Sequence, residues 1–182
     1  MREISLHILD IAENSIRAGA PDVEIGVRVD EPADRLVVTV RDNGRGMPEE
    51  MAAVVADPFV TSRTERRVGL GLPLLAAACE RTGGGLKVRS RPGEGTEVEA
   101  TFGLSSVDRA PMGALAETIA NIASGYPDVR IALAFSSGGE QFEFDSALVR
   151  EALDGVPLSS PQVAAWMREH IQEGIAGVSS LE

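Results

Sequence analysis

Between Glu3 and Arg17, Ile4, Ile8 and Ile11 and then Leu9, Ala12 and Ile16 recur at helical spacing, which predicts an amphipathic helix. Gly19-Ala20-Pro21 ends it. The period then changes to two. Val23, Ile25, Val27 and Val29 alternate with Glu24, Gly26, Arg28 and Asp30, and Leu36, Val38 and Val40 resume the alternation after the turn Asp30-Glu31-Pro32-Ala33-Asp34. The two runs predict half-buried strands in an antiparallel hairpin. Pro48 and Glu49-Glu50 open a short helix through about Ala56. Residues 57–68 have no apolar period and are expected to be a long loop. Leu70 to about Arg81 is an alanine-rich helix, stopped by Gly83-Gly84-Gly85. Leu86 to Arg91 and Thr96 to Phe102 predict a second hairpin through Arg91-Pro92-Gly93-Glu94-Gly95.

Leu104 to Pro111 is expected to be a linker. Beyond it the pattern predicts a helix over Met112–Ser124, a hairpin of Val129–Phe135 and Gln141–Phe144, and helices over Ser146–Leu153 and Pro161–Glu173. The class is α+β. Two units are expected, 1–104 and a small α+β unit at 112–182.

Composition narrows the function classes. The chain has 182 residues, 43 % of them hydrophobic, enough for a sizeable core. Acidic residues number 28 against 17 basic, a formal charge of −11, and aromatics are 4 %. That balance disfavours nucleic acid and anionic membranes as partners. The single cysteine, Cys79, leaves no internal disulfide and no multi-thiolate zinc site; it is expected to be buried and inert. With no membrane-span pattern and no signal peptide pattern, the expected location is the cytoplasm.

Four polar groups stand out in the first hundred residues. Asp10 and Asn14, spaced i, i+4, share one helix face. The amide oxygen suits Mg²⁺ and the carboxylate can order or deprotonate a water, although a solvated polar stripe has the same spacing. Asp42 ends a strand before Gly44 and Gly46, where glycine lets a ligand approach the backbone; the carboxylate could accept from the amine of adenine, or the string could be an ordinary turn. It lacks the spacing of a Walker site. The locally basic segment with Arg63, Arg66 and Arg67 precedes Gly69-Leu70-Gly71-Leu72, which opens a helix whose N-terminus can hold an anion. Gly93-Glu94-Gly95-Thr96 puts a hydroxyl at a strand entrance, to hold Asp42 and a base or merely to cap a turn.

Together these stretches resemble the GHKL ATPases: type II topoisomerases, heat-shock chaperones, histidine kinases and mismatch-repair ATPases. Residues 9–20 resemble the N box, Asp42-Asn43-Gly44-Arg45-Gly46-Met47 the G1 box, Asp57-Pro58-Phe59-Val60-Thr61-Ser62-Arg63 the F box and start of the ATP lid, Gly69-Leu70-Gly71-Leu72 the G2 box, and Gly93-Glu94-Gly95-Thr96 the G3 region. The resemblance covers residues 1–104. It implies a Bergerat fold, a mixed sheet with helices packed on one face, with ATP and Mg²⁺ held under a lid. By resemblance, Asn14 coordinates the metal, Asp42 takes the adenine amine, and Gly44, Gly46 and Met47 line the base. Phe59, Thr61, Ser62 and Arg63 belong to the lid, Gly69, Leu70, Gly71 and Leu72 hold phosphate, and Thr96 fixes the adenine. Asp10 stands where hydrolysing relatives carry Glu; a carboxylate one methylene shorter implies slow hydrolysis.

The N box begins close to Met1, so the sequence is read as lacking the phosphoacceptor hairpin of a sensor kinase. A protein partner or phosphoacceptor in trans is therefore expected. Self-association into a homodimer is left open, as is the choice between regulatory kinase, slow ATPase and ATP-gated interaction module. His7 is read as a surface or partly buried histidine and His170 as a cation at a helix C-terminus. Trp166 and Met167 are read as a packing pair, with a partner-docking Trp166 as the alternative.

Overall fold

The computed structural model describes residues 3–55 and 71–178. The alternating valines of β1 (Asp22–Asp30) and β2 (Arg35–Asp42) pair antiparallel, from Val23 opposite Asp42 to Asp30 opposite Arg35. β3 (Gly85–Arg91) pairs with β4 (Gly95–Gly103), and β4 docks antiparallel on β2, with Thr96 opposite Asp42. On the other side β5 (Arg130–Ser137) runs parallel to β1, and β6 (Glu140–Asp145) closes the edge. The result is one mixed sheet of six strands, ordered β3-β4-β2-β1-β5-β6.

Its inner face buries Val23, Ile25, Leu36, Val38, Phe102 and Leu133, among others, under α1 (Ile4–Arg17), α3 (Gly71–Arg81), α4 (Leu115–Gly125) and α6 (Pro161–Val178). α2 (Glu49–Val54) lies by β3, and α5 (Ser146–Ala152) by β5. This is the expected α+β class, a mixed sheet with α1, α3, α4 and α6 packed on one side, while Leu148 of α5 borders the other face over Ala132 and Ala134.

Sheet and core run without a break across the expected boundary at 104–112. The hairpin expected to belong to a separate C-terminal unit extends the same sheet through β5, because β1 has a second unpaired edge. α4 packs on α1, and α6 on α4. The segment read as a linker also works as a cap. α1 has no side-chain N-cap, and the Pro111 and Met112 carbonyls accept from the amides of Ile4 and Ser5 at 3.0 and 2.9 Å. No helix among the described residues is long and apolar enough to cross a membrane.

Candidate functional site

Three side chains of the α1 helix lead into the site. Asp10, Asn14 and Ser15 fall within six residues, about 7.5 Å of helix axis. Ser15 continues the buried stripe of Ile8 and Ile11, which points its hydroxyl at the end of β2. There it donates to Asp42 Oδ2 at 2.6 Å. Asp42 Oδ1 accepts from the amides of Gly44 at 2.9 Å and Thr96 at 3.3 Å. The carboxylate is 8 % exposed and held in one orientation by three donors. Its open acceptor capacity suits one more donor, the class to which an exocyclic amine belongs.

The glycine loop after β2 is tied down on both sides. Asn43 pairs with Asp22, and Arg45 N–H donates to the Ala18 carbonyl at 3.1 Å. Gly46 has φ +63°, and a Cβ there would overlap the Arg91 carbonyl. Met47 N–H donates to Ser90 Oγ at 2.9 Å, and that hydroxyl also meets Thr96 Oγ1 at 2.8 Å. Thr96 therefore steadies Asp42 through its backbone amide while its hydroxyl is engaged with Ser90.

Asp10 lies at the start of α3. A Cβ on Gly71 would overlap its carboxylate, so glycine is what lets the two helices meet there. Asp10 Oδ2 is buried and has no hydrogen-bond partner among the described residues. The first turn of α3 presents the positive end of a helix dipole. Its amides come from Gly71, Leu72 and Leu74; Pro73 contributes none. Leu72 is partly buried against the core. Asn14 is exposed, and its Oδ1 accepts from Arg17 at 3.0 Å.

Of the residues singled out in the sequence, Asp42, Gly44, Gly46, Met47 and Thr96 are joined by contacts at the ends of β2, β3 and β4, Asp10 meets Gly71 where α1 approaches α3, Asn14 lies one turn beyond Asp10 on α1, and Leu72 packs against the core. Phe59, Thr61, Ser62, Arg63, Gly69 and Leu70, with the loop expected at 57–68, lie outside the described residues. Sequence reasoning missed Ser15 and Ser90. Both carry hydroxyls at positions whose pattern calls for burial, and a buried hydroxyl needs a partner.

The family model for "Histidine kinase-, DNA gyrase B-, and HSP90-like ATPase" matches residues 2–106. This chain belongs to that family. Its GHKL relatives include the sensor protein kinase FleS of Pseudomonas aeruginosa, 38 % identical over 110 residues, which covers 60 % of this chain and 27 % of that one. The nitrogen regulation protein NtrY of Azorhizobium caulinodans is 36 % identical over 101 residues, covering 53 % and 13 %. The chain thus spans between an eighth and about a quarter of the length of these two GHKL proteins. Among solved GHKL folds, the Aquifex aeolicus MutL ATPase domain complexed with ADP superposes with a TM-score of 0.53 at 18 % identity, over 85 % of this chain and 68 % of that chain.

The remaining histidines and the cysteine stand apart from these polar contacts. His7 is buried, its Nδ1 has no partner among the described residues, and burial holds its pKa below the ordinary value, with Arg81 adding to the shift and Asp10 opposing it. His170 does not end a helix. It lies within α6, eight residues before Val178, stacked on Trp166 at 4.9 Å with Phe142 edge-on at 5.6 Å. Met167 is buried as expected of a core residue, whereas Trp166 is half exposed. Cys79 is fully buried, which pushes its thiol pKa up to about 12.

Proposed function

We propose that this chain binds ATP with Mg²⁺ between α1 and α3 and acts as a regulatory kinase or slow ATPase on or with another protein. The observation that carries this reading is Asp42, a buried carboxylate fixed by Ser15, Gly44 and Thr96 as an acceptor at the mouth of a glycine loop. An acceptor there favours adenine, whose exocyclic amine donates, over guanine, whose carbonyl at the same ring position does not.

Mg²⁺ takes hard oxygens and usually enters with the phosphates it bridges. Asn14 Oδ1 fits that role once Arg17 releases it, since the amide is exposed and near Asp10 on the same helix face. The bound metal would supply charge neutralisation on the phosphates. Asp10 would order the attacking water or the acceptor group as a weak base, and the amides of Gly71 and Leu72 would receive phosphate oxygens at the positive end of α3. The Asp10 carboxylate already stands against that helix end, so an incoming anion has to displace it. This supports slow turnover, and it keeps the ATP-gated interaction module as a second reading.

Titration calorimetry with ATP, ADP and GTP in the presence of Mg²⁺ tests the binding step. Asp42→Asn should weaken ATP by about a hundredfold or more, because the amide turns a donor toward the adenine amine. Unchanged affinity would remove Asp42 from the site. Incubation of γ-labelled ATP with cell extract then separates transfer from hydrolysis. Asp10→Glu should raise turnover about tenfold or more. Tight binding with neither turnover nor transfer in both forms would establish the interaction module.

A further inference from the structure

Beside Asp42, the fold fixes the direction of one hydroxyl hydrogen. Ser90 on β3, Thr96 on β4 and Asp42 on β2 stand opposite one another in successive ladders, so all three side chains project from the same face of the sheet. Ser90 and Asp42 are buried on that face, and Thr96 between them is half-buried.

A serine hydroxyl has one hydrogen and two lone pairs. Ser90 Oγ makes three contacts: with the Met47 amide at 2.9 Å, with the Gly95 carbonyl at 2.9 Å and with Thr96 Oγ1 at 2.8 Å. The amide can only donate and the carbonyl can only accept. Ser90 therefore gives its one hydrogen to Gly95, and the hydrogen in the third contact comes from Thr96. The opposite assignment would set the Ser90 oxygen against the Gly95 carbonyl oxygen with no hydrogen between them. One arrangement fills all three contacts, and buried polar groups adopt the arrangement that satisfies them.

With its hydrogen held by Ser90, Thr96 Oγ1 has only lone pairs to offer a ligand. Its neighbour Asp42 also offers only lone pairs, from a carboxylate oriented by Ser15 and by the amides of Gly44 and Thr96. We propose that Ser90 is a specificity-determining residue that makes Thr96 a second acceptor beside Asp42, so that the two together select a base edge bearing a primary amine and reject one bearing a carbonyl. Ser90 does this without touching the base; it is a positioning residue that acts through Thr96. The inference rests on the adenine site proposed above and refines it. Asp42 alone favours an amine, but a threonine free to turn could donate to a carbonyl and offset part of that preference. Fixing the hydroxyl removes this accommodation, and a carbonyl then meets two acceptors and no donor. A primary amine has two hydrogens, one for each acceptor.

Titration calorimetry in Mg²⁺ measures ATP directly and inosine triphosphate by competition with ATP. Inosine carries a carbonyl where adenine carries its amine, and the ratio of the two affinities is the readout. Ser90→Ala frees the Thr96 hydrogen, so the preference for ATP should shrink by about tenfold or more, mainly through tighter inosine triphosphate. Thr96→Val removes the acceptor. It should weaken ATP by about tenfold and leave inosine triphosphate no weaker, whereas a hydroxyl able to donate would have helped both. Adding Ser90→Ala to Thr96→Val should leave the ratio where Thr96→Val sets it, because a merely structural effect of Ser90 would persist there. Circular dichroism and melting verify that each variant is folded, and where one single variant does not fold the other decides. A wild type that fails to bind ATP would refute the adenine site itself. ATP binding with a ratio unmoved by Ser90→Ala, inosine triphosphate weakened together with ATP by Thr96→Val, or a Ser90→Ala effect that survives in the double variant would each overturn the inference and leave the adenine site standing.

Discussion

Ser15 shows how one hydroxyl can fix the geometry of a site. Its bond to Asp42 is buried, and its loss leaves a carboxylate oxygen short of a donor. Ser15→Ala should cost roughly 1.5–3 kcal/mol of stability in denaturant melts, and it should weaken ATP in calorimetry less than Asp42→Asn does. His7 makes a pH-dependent prediction. Its folded pKa is depressed by burial, so the unfolded chain takes up the proton first. Stability should be intact above the unfolded value of about 6.5 and fall as pH drops through it toward the folded value. His7→Gln should flatten that slope in melts run across the same range. The sequence marked Asp10, Asn14 and Asp42 as polar groups with a task, because each interrupts or borders an apolar pattern. It did not reveal that His7 is buried, since helical spacing sets His7 beside the apolar stripe and its burial is decided by tertiary packing.

At the scale of elements, the periodicities were legible and the connections were not. The six strands and the helices follow from alternation and from the Gly and Pro that punctuate it. The 104–111 segment reads as a linker because it has no period, yet its last residues satisfy the amides that begin α1. A backbone-to-backbone cap leaves no residue signature. The glycine loop after β2 is a clearer case. Gly46 combines a left-handed φ with contact against the Arg91 carbonyl, so both the backbone and the space demand glycine. Gly46→Ala should lower the melting temperature by several degrees, about 1–3 kcal/mol, and release the loop from the β3–β4 turn. Amide exchange at Met47, whose N–H is held by Ser90, reads that release directly.

For the whole molecule, the parallel pairing of β1 with β5 decides what counts as a folding unit. The sequence divides naturally near residue 104, where the family match also stops, at 106. The sheet does not divide there, because β1 is bonded along its length on both sides. Residues 1–104 alone should show no cooperative thermal transition, whereas the full chain should melt in one step whether followed by far-ultraviolet dichroism or by Trp166 fluorescence. A separate, lower transition for the C-terminal part would show two units. Strand order was illegible in the sequence for a physical reason: nothing local to β5 states which edge it will join.

The β1–β5 ladder also bears on synthesis. Every group proposed to touch nucleotide precedes residue 100, but the strand that completes the sheet beneath them is translated more than a hundred residues after β1. A nascent chain therefore leaves the ribosome exit tunnel with the ligand's residues already outside and their scaffold unfinished. Competence for nucleotide arrives only once β5 has emerged, so capture of ATP during translation would report that this strand has been made.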